Sequence, residues 1–203
     1  MTPTMFQALT GVSRETMEQL QCYATLLCQW QTRINLVGPA TLGDLWRRHL
    51  WDSAQLGPLL PVHARVLVDF GSGAGFPGLV LAILRGGDVH LIESDARKGV
   101  FLREAARVTG ASVTIHTARA ETLAPWPTDV VTARAVAPLG RLLFLMAPFL
   151  SRPDSVALLL KGRTAAEELA TVRKQWSMTA TQRPSRSDPS GIILCVREVR
   201  RVR

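Results

Sequence analysis

Residues Val66–Gly78, reading V-L-V-D-F-G-S-G-A-G-F-P-G, constrain the fold more than any other stretch of the chain. A short valine-rich apolar run suits a buried strand, an acid follows, and glycines at 71, 73 and 75 open what reads as a helix. Glycines so placed permit φ > 0 and let a ligand approach the main chain where a β-carbon would stand in its way. The expected occupant is a nucleotide-like cofactor, held at a strand-to-helix turn.

Spacing narrows the choice. Counted from Gly71 and Gly73, the dinucleotide fingerprint G-x-G-x-x-G puts its third glycine at position 76, where Phe76 stands. The order here is an acid, one residue, then G-x-G-x-G, with Asp69 two positions before Gly71. That is the pattern of Rossmann-like S-adenosylmethionine methyltransferases. In this reading the loop of Gly71, Ser72, Gly73 and Gly75 packs beneath the amino-acid end of the cofactor. The next apolar stretch ends in V-H-L-I-E, so Glu93 falls at the tip of a second strand. It lies about 20 residues beyond the glycines, where an acid accepts from ribose hydroxyls.

The chain then alternates. Strand-like segments near 65–70, 88–93, 112–117, 128–134 and 155–161 are separated by helical stretches near 77–85, 95–109, 139–150 and 163–176. This predicts a parallel sheet with helices on both faces. Two further strands, near 178–183 and 191–199, complete a seven-stranded, mostly parallel α/β sheet with a final hairpin, which resembles the methyltransferase architecture, in which the last strand inserts antiparallel. The linker between them, with Pro184, Ser185, Asp188, Pro189 and Gly191, reads as mobile. Ahead of the sheet, Ser13 suits an N-cap, and Met17, Leu20, Ala24, Leu27 and Ile34 recur at helical spacing. Asn35 to Gly38 breaks that helix. A second is expected near Thr41, with Asp44 completing a capping box and Trp46, His49 and Ser53 on one face beside Asp52. Pro58 and Pro61 close the segment, dividing the chain into a helical part, 1–62, and a Rossmann-like domain, 63–203.

Against 16 acidic residues stand 24 Lys and Arg, a net charge of +8. Such an excess points to a polyanion, with RNA the leading partner and plain compositional bias the alternative. The tail from Arg197 to Arg203 reads as a solvated end as readily as an RNA contact. Three cysteines, Cys22, Cys28 and Cys195, form no C-x-x-C pair and are expected to be buried thiols. Histidines 49, 63, 90 and 116 never fall at metal-ligand spacing, so no metal is expected. No run approaches the roughly 18 apolar residues of a membrane span, and no leader pattern opens the chain. A cytoplasmic protein is expected.

Several short marks point to one family. They are I-N-L-V at 34–37, R-R-H-L-W-D-S at 47–53, D-F-G-S-G-A-G-F-P-G at 69–78, A-R-A-E at 118–121, A-R-A at 133–135 and L-K-G at 160–162. With them the chain resembles the bacterial small-subunit ribosomal RNA guanine-N7 methyltransferases, also called glucose-inhibited division protein B. The resemblance implies S-adenosylmethionine as cofactor, S-adenosylhomocysteine as product, and ribosomal RNA or the small ribosomal subunit as partner. It implies that Gly71, Phe76, Ala120, Glu121 and Arg134 contact the cofactor, with Glu93 and Ser94 near the ribose and Ala120 and Glu121 flanking the adenine. Asp69, Glu93, Arg134 and Lys161 are then expected on one crevice at the carboxyl ends of the strands. Arg134, Lys161, His49 and Asn35 become the candidates for the catalytic centre, and a monomer is expected. One departure stands out: S-D-P-S-G-I-I-L carries serine where the family places an arginine before the last strand, with Arg186 the nearest substitute.

Two rivals share these features. A nicotinamide-dependent dehydrogenase is disfavoured by Phe76 and by the few residues left for a substrate domain. A non-catalytic RNA-binding ribosome-assembly protein on the same fold has no need of Asp69, the three glycines and Glu93.

Overall fold

In the computed structural model, which describes residues 1–134 and 136–202, the alternation becomes a seven-stranded sheet. Ala135, which ends the A-R-A mark, and Arg203 lie outside the described residues. The strands are β1 (Val66–Phe70), β2 (Asp88–Glu93), β3 (Val113–Thr117), β4 (Val130–Arg134), β5 (Val156–Lys161), β6 (Trp176–Pro184) and β7 (Ile192–Arg201). Their order is β3-β2-β1-β4-β5-β7-β6. The first five run parallel, and β7 slots antiparallel between β5 and β6, as expected.

Helices α1 (Pro3–Thr10), α2 (Arg14–Gln31) and α3 (Asp52–Ala54) precede the sheet, and α4 (Gly78–Arg85), α5 (Ala96–Thr109), α6 (Leu139–Met146) and α7 (Ala165–Val172) connect its strands. Period-two alternation decides which core each strand residue joins. Leu67, Val130, Val156, Leu158 and Leu160 face the core shared with α2, α4 and α5. Val68, Val131, Ala133, Ala157 and Leu159 face the core shared with α6 and α7. Covered on both faces, the inner strands read as nearly continuous apolar runs.

The N-terminal part departs from expectation in four places. The expected first helix starts at its Ser13 cap, where the hydroxyl accepts from the Thr16 amide, but it ends at Gln31, before Ile34. The Gln31 side chain turns to the following loop and accepts from the amides of Leu36 and Val37, both at 3.0 Å. An additional helix, α1, precedes it, opened by Thr2 and closed by Gly11 with φ 65°. No capping box forms at Thr41 and Asp44. Instead a 3-10 turn over Pro39–Asp44 leads into a π-helical turn over Trp46–Trp51, while Asp44 pairs with Arg47 at 2.6 Å. The wider winding brings residues five apart together. Trp46 and Trp51 therefore clasp Phe6, with ring centroids 5.3 and 6.3 Å away, while His49 turns to Phe76. Trp46 and His49 thus do not work as one face.

Two other expectations are corrected. Cys22 and Cys28 are exposed, because α2 turns Met17, Leu20, Tyr23, Ala24 and Leu27 to the core and leaves both cysteines on its polar side. The link between β6 and β7, expected to be mobile, is fastened by side chains. Gln55 donates to the Ser185 hydroxyl at 3.0 Å and accepts from the Arg186 amide at 2.7 Å, Ser187 bonds Asp52, and Arg48 pairs with Asp188 at 2.6 Å.

Candidate functional site

The loop after β1 is held from beneath by the two acids expected at the crevice. Asp69 is fully buried: its carboxylate accepts from the Thr132 hydroxyl at 2.7 Å and from the Gly78 amide, at the start of α4, at 3.2 Å. It lines neither cavity described below, which corrects the expectation of a cofactor-facing carboxylate. Burial pushes its pKa up to about 6, against the pull of Thr132, Ser72 and Gly78. Glu93, at the end of β2, accepts from the Gly73 amide and the Asp95 amide, each at 2.8 Å. Like Asp69 it lies outside the lining of both cavities, but it keeps 7% exposure, and each of its oxygens keeps a lone pair for a hydroxyl donor.

Asp69 carries a pH signature. A carboxyl raised in the folded state stabilises fully below its ordinary value of 3.8, and the contribution is lost as pH rises through about 6. In Asp69→Asn the carboxamide takes the Gly78 amide with its oxygen and gives a proton to Thr132. The variant is expected to exceed the native chain in stability at pH 8 by up to about 3 kcal/mol, with little difference at pH 4. Urea denaturation at the two pH values measures this, and a pH-independent difference would contradict it.

The upper side of the loop is backbone. Gly75, with φ 98°, lies against α2, where the buried Tyr23 hydroxyl donates to the Ala74 carbonyl. Gly73, with φ 58°, faces open space: a β-carbon there would meet nothing nearer than the Gly71 oxygen at 3.8 Å. Two cavities meet at Gly71 and form a trough along the carboxyl ends of β1, β2, β4 and β5. The larger, about 470 Å³, has Ser72, Gly73, Phe76, His49, Arg134 and Lys161 in its lining. The smaller, about 280 Å³, has Ser94, Ala120, Glu121 and Val136. An elongated ligand with a nucleoside at one end and an amino acid at the other fits such a trough, and the open face at Gly73 is the cradle that a side chain would fill.

Four basic side chains, Arg48, Lys98, Arg134 and Lys161, and two acids, Asp52 and Asp188, face the larger cavity. Arg134 leaves the end of β4 with its guanidinium 4.8 Å from the Phe76 ring centroid and 3.4 Å from Asp52. Burial pushes its pKa down and Asp52 opposes the shift, so the group stays cationic. Lys161, at the end of β5, pairs with Glu168 at 2.8 Å and donates to the Ala137 carbonyl at 3.2 Å. Asp188 is held down at about 2 by Arg48 and by Ser190.

His49 lies against Phe76 with Nε2 2.7 Å from the Thr41 hydroxyl, and Nδ1 is buried without a partner among the described residues. Burial, then Arg134 and Arg48, push its pKa down to about 3, so it is neutral at any physiological pH. Asn35 departs from expectation. It is exposed, within 3.4 Å of Gln31, and the neighbouring Leu36, Val37 and Gly38 line the cavity in its place. Glu121 lines the smaller cavity but pairs there with Arg141.

A model of the GidB family, described as rRNA small subunit methyltransferase G, matches residues 16–187. The chain belongs to this family. Ribosomal RNA small subunit methyltransferase G from Rhodospirillum centenum is 58% identical over 196 residues, spanning 97% of this chain and 90% of that one. Its counterpart from Paramagnetospirillum magneticum is 56% identical over 203 residues, spanning 100% and 98%. Among solved structures, magnesium protoporphyrin IX methyltransferase from Synechocystis, with bound SAM, has the same fold. Its TM-score is 0.60 at 16% identity, covering 92% of this chain and 98% of that one.

For this member of the rRNA small subunit methyltransferase G family, reading the sequence alone missed the partners that hold the site. Tyr23 is the only tyrosine of the chain, on the apolar side of a helix far from the glycines, and nothing in its spacing ties it to Ala74. Gln55, Ser185, Ser187 and Glu168 likewise join the site only through tertiary contacts. Arg48 and Asp52 lay within the R-R-H-L-W-D-S mark, which was the available signal.

Proposed function

We propose that the trough transfers the methyl group of S-adenosylmethionine to N7 of a guanine in small-subunit ribosomal RNA. Family membership supports the donor and the RNA. The charge state of the larger cavity supports the atom. His49 is neutral and buried, Asp52 already accepts from Arg134, Ser187 and Gln55, and Asp188 from Arg48 and Ser190. A histidine held at about 3 is too weak a base to take a proton from a substrate, and both acids are already paired, so among the described residues the cavity offers no strong general base, which suits a nucleophile with no proton to lose. Guanine N7 is such a lone pair: it forms the bond to the methyl carbon as the carbon–sulfur bond breaks, and the positive charge passes from sulfur to the base.

When bound, S-adenosylmethionine supplies a methyl group made electrophilic by its sulfonium. The chain's own residues bind and orient. The backbone of Gly71, Ser72 and Gly73, with Phe76, holds the amino-acid end; Glu93 and Ser94 accept or donate at the ribose, and Ala120 and Glu121 flank the adenine. Arg134 and Lys161 carry charge into a site where the base itself becomes cationic. Their pairing with Asp52 and Glu168 moderates the repulsion and leaves N–H donors for guanine O6, a phosphate or the cofactor carboxylate. Catalysis is then mostly alignment, a term worth up to roughly 7–11 kcal/mol in ideal geometry. N7 lies on an edge that A-form RNA hides, so the guanine is taken unpaired or flipped.

In this reading residues 1–62 act as a helical segment that completes the pocket of the 63–203 domain through Thr41, His49 and Asp52. One chain supplies a lining for both cavities, so a monomer suffices for this reading. A ribosomal substrate places it in the cytoplasm; among the described residues no helix is long and apolar enough to cross a membrane. Methyl incorporation into ribosomal RNA by Arg134→Ala and Lys161→Ala tests the assignment. Each is expected to fall at least about tenfold, the weight of a lost charged hydrogen bond, and near-native turnover in both would remove them from the site.

A further inference from the structure

Behind the pocket wall lies a cavity of about 670 Å³, bounded by α1, the turn after α3, the end of α4 and the start of β7. Its sides include Leu9, Trp51, Pro58 and Ile193, and its basic residues are Arg85, Arg183 and Arg186. No acid lines it. Among the described residues the acid partners of the ion pairs engage other basic groups, so none of these three guanidinium groups is neutralised. Arg85 is steadied by the carbonyls of Pro61 and Val62, at 3.0 and 3.1 Å, which leaves its remaining donors free. The Arg186 backbone is anchored on Gln55, which frees its side chain for the groove.

The wall between this groove and the trough is one helical segment and one turn. Arg48, His49, Asp52 and Ser185 face the trough. Trp51, Ala54, Gln55, Pro184 and Arg186 face the groove. A helix with its side chains is about 10–12 Å across, so the wall that separates the trough from the groove is about one helix thick.

We propose that this groove binds the sugar–phosphate backbone of the substrate RNA beside the target guanine; this rests on the RNA-methyltransferase reading. The Arg183 and Arg186 guanidinium forks fit phosphate oxygens bidentately, Arg85 adds a single contact through its remaining donors, and the apolar sides accept ribose or a base face. An apolar protein segment would cover the sides yet leave three cations facing it unmatched.

The test uses the full chain and in vitro transcribed small-subunit ribosomal RNA as the probe. Binding is measured over a range of salt for the native chain and for the double variant Arg183→Gln/Arg186→Gln, which keeps side-chain bulk. Each phosphate contact contributes about 0.7–0.9 to the slope of log affinity against log salt, so the variant is expected to lower the slope by roughly 1.4–1.8 and the affinity about tenfold. S-adenosylmethionine affinity and the unfolding midpoint serve as folding controls and are expected unchanged. Arg85→Gln is expected to remove a further single contact. Unaltered affinity and slope in a folded variant would overturn the proposal. So would loss of binding to the intact small subunit with binding to naked RNA unchanged, which assigns the groove to a protein. Failure of the methyl-transfer reading looks different: the native chain transfers no methyl group, while the two proteins still differ in salt slope.

Discussion

Replacing Asp52 with alanine is expected to lower stability by about 3 kcal/mol and methyl transfer by at least a hundredfold. The Arg134 and Asp52 side chains are only 19% and 15% exposed, and Asp52 is the acid that faces the guanidinium. Its removal leaves a desolvated cation against Phe76 and strips an acceptor from Ser187 and Gln55. Breaking one side of such a pair costs more than the pair contributes, because the other charge stays buried. The rate falls for a second reason. Arg134 keeps its place over Phe76 through Asp52 and the Arg48 carbonyl, and a displacement near 1 Å at a reacting centre costs about a hundredfold. Asp52→Asn, which keeps the acceptor from Ser187 and loses the charge, is expected to fall between. Urea denaturation and single-turnover methyl transfer read the two effects. A double-mutant cycle with Arg134→Ala then shows whether Asp52 acts through Arg134. Additive losses would mean that it does not.

Gly75→Val is expected to destabilise the chain by about 3 kcal/mol or more and to abolish cofactor binding. Its φ of 98° is hostile to a side chain, and the added Cβ would stand 2.9 Å from Leu79 Cβ, 3.0 Å from the Tyr23 hydroxyl and 3.2 Å from Leu102 Cδ2. All three neighbours are buried and have nowhere to move. Gly73→Ala makes the contrast. Its β-carbon meets only the Gly71 oxygen at 3.8 Å, so the strain is local, about 1 kcal/mol, and the methyl group projects into the cradle. Thermal unfolding is expected to separate the two sharply, while calorimetric titration of S-adenosylmethionine finds both impaired. Equal unfolding midpoints would refute the assignment of Gly75 to packing and Gly73 to the ligand face.

The contrast shows what was legible in the chain. Local rules carried the sheet: the apolar runs, the glycine turn and the acids at strand ends follow from period and spacing, and β2 begins and ends where expected. Residue types at the trough were legible for the same reason, since Gly71, Arg134 and Lys161 sit at strand ends and Phe76 in the glycine turn that follows β1. Direction was not. An acid two positions before a glycine turn can point up to a ligand or down to the start of the next helix, and Asp69 points down because Thr132 and Gly78 offer donors there. Residues 39–54 misled for another reason. Their hydrophobic spacing fits an α-helix, but tertiary packing of Phe6 between Trp46 and Trp51 selects π winding. The turn at 185–191 has the prolines, serines and glycine of a free loop, and only its partners Arg48, Asp52 and Gln55, more than a hundred residues away, fix it in place.

The most direct measurement supplies the purified chain with methyl-labelled S-adenosylmethionine and small-subunit ribosomal RNA from cells that lack the protein, and then locates the label by strand cleavage at N7-methylated guanine. The proposed reaction predicts stoichiometric label at a single guanine, on N7. Label on a ribose oxygen, an exocyclic amine or another base, or no transfer at all under conditions where the donor binds, would contradict it.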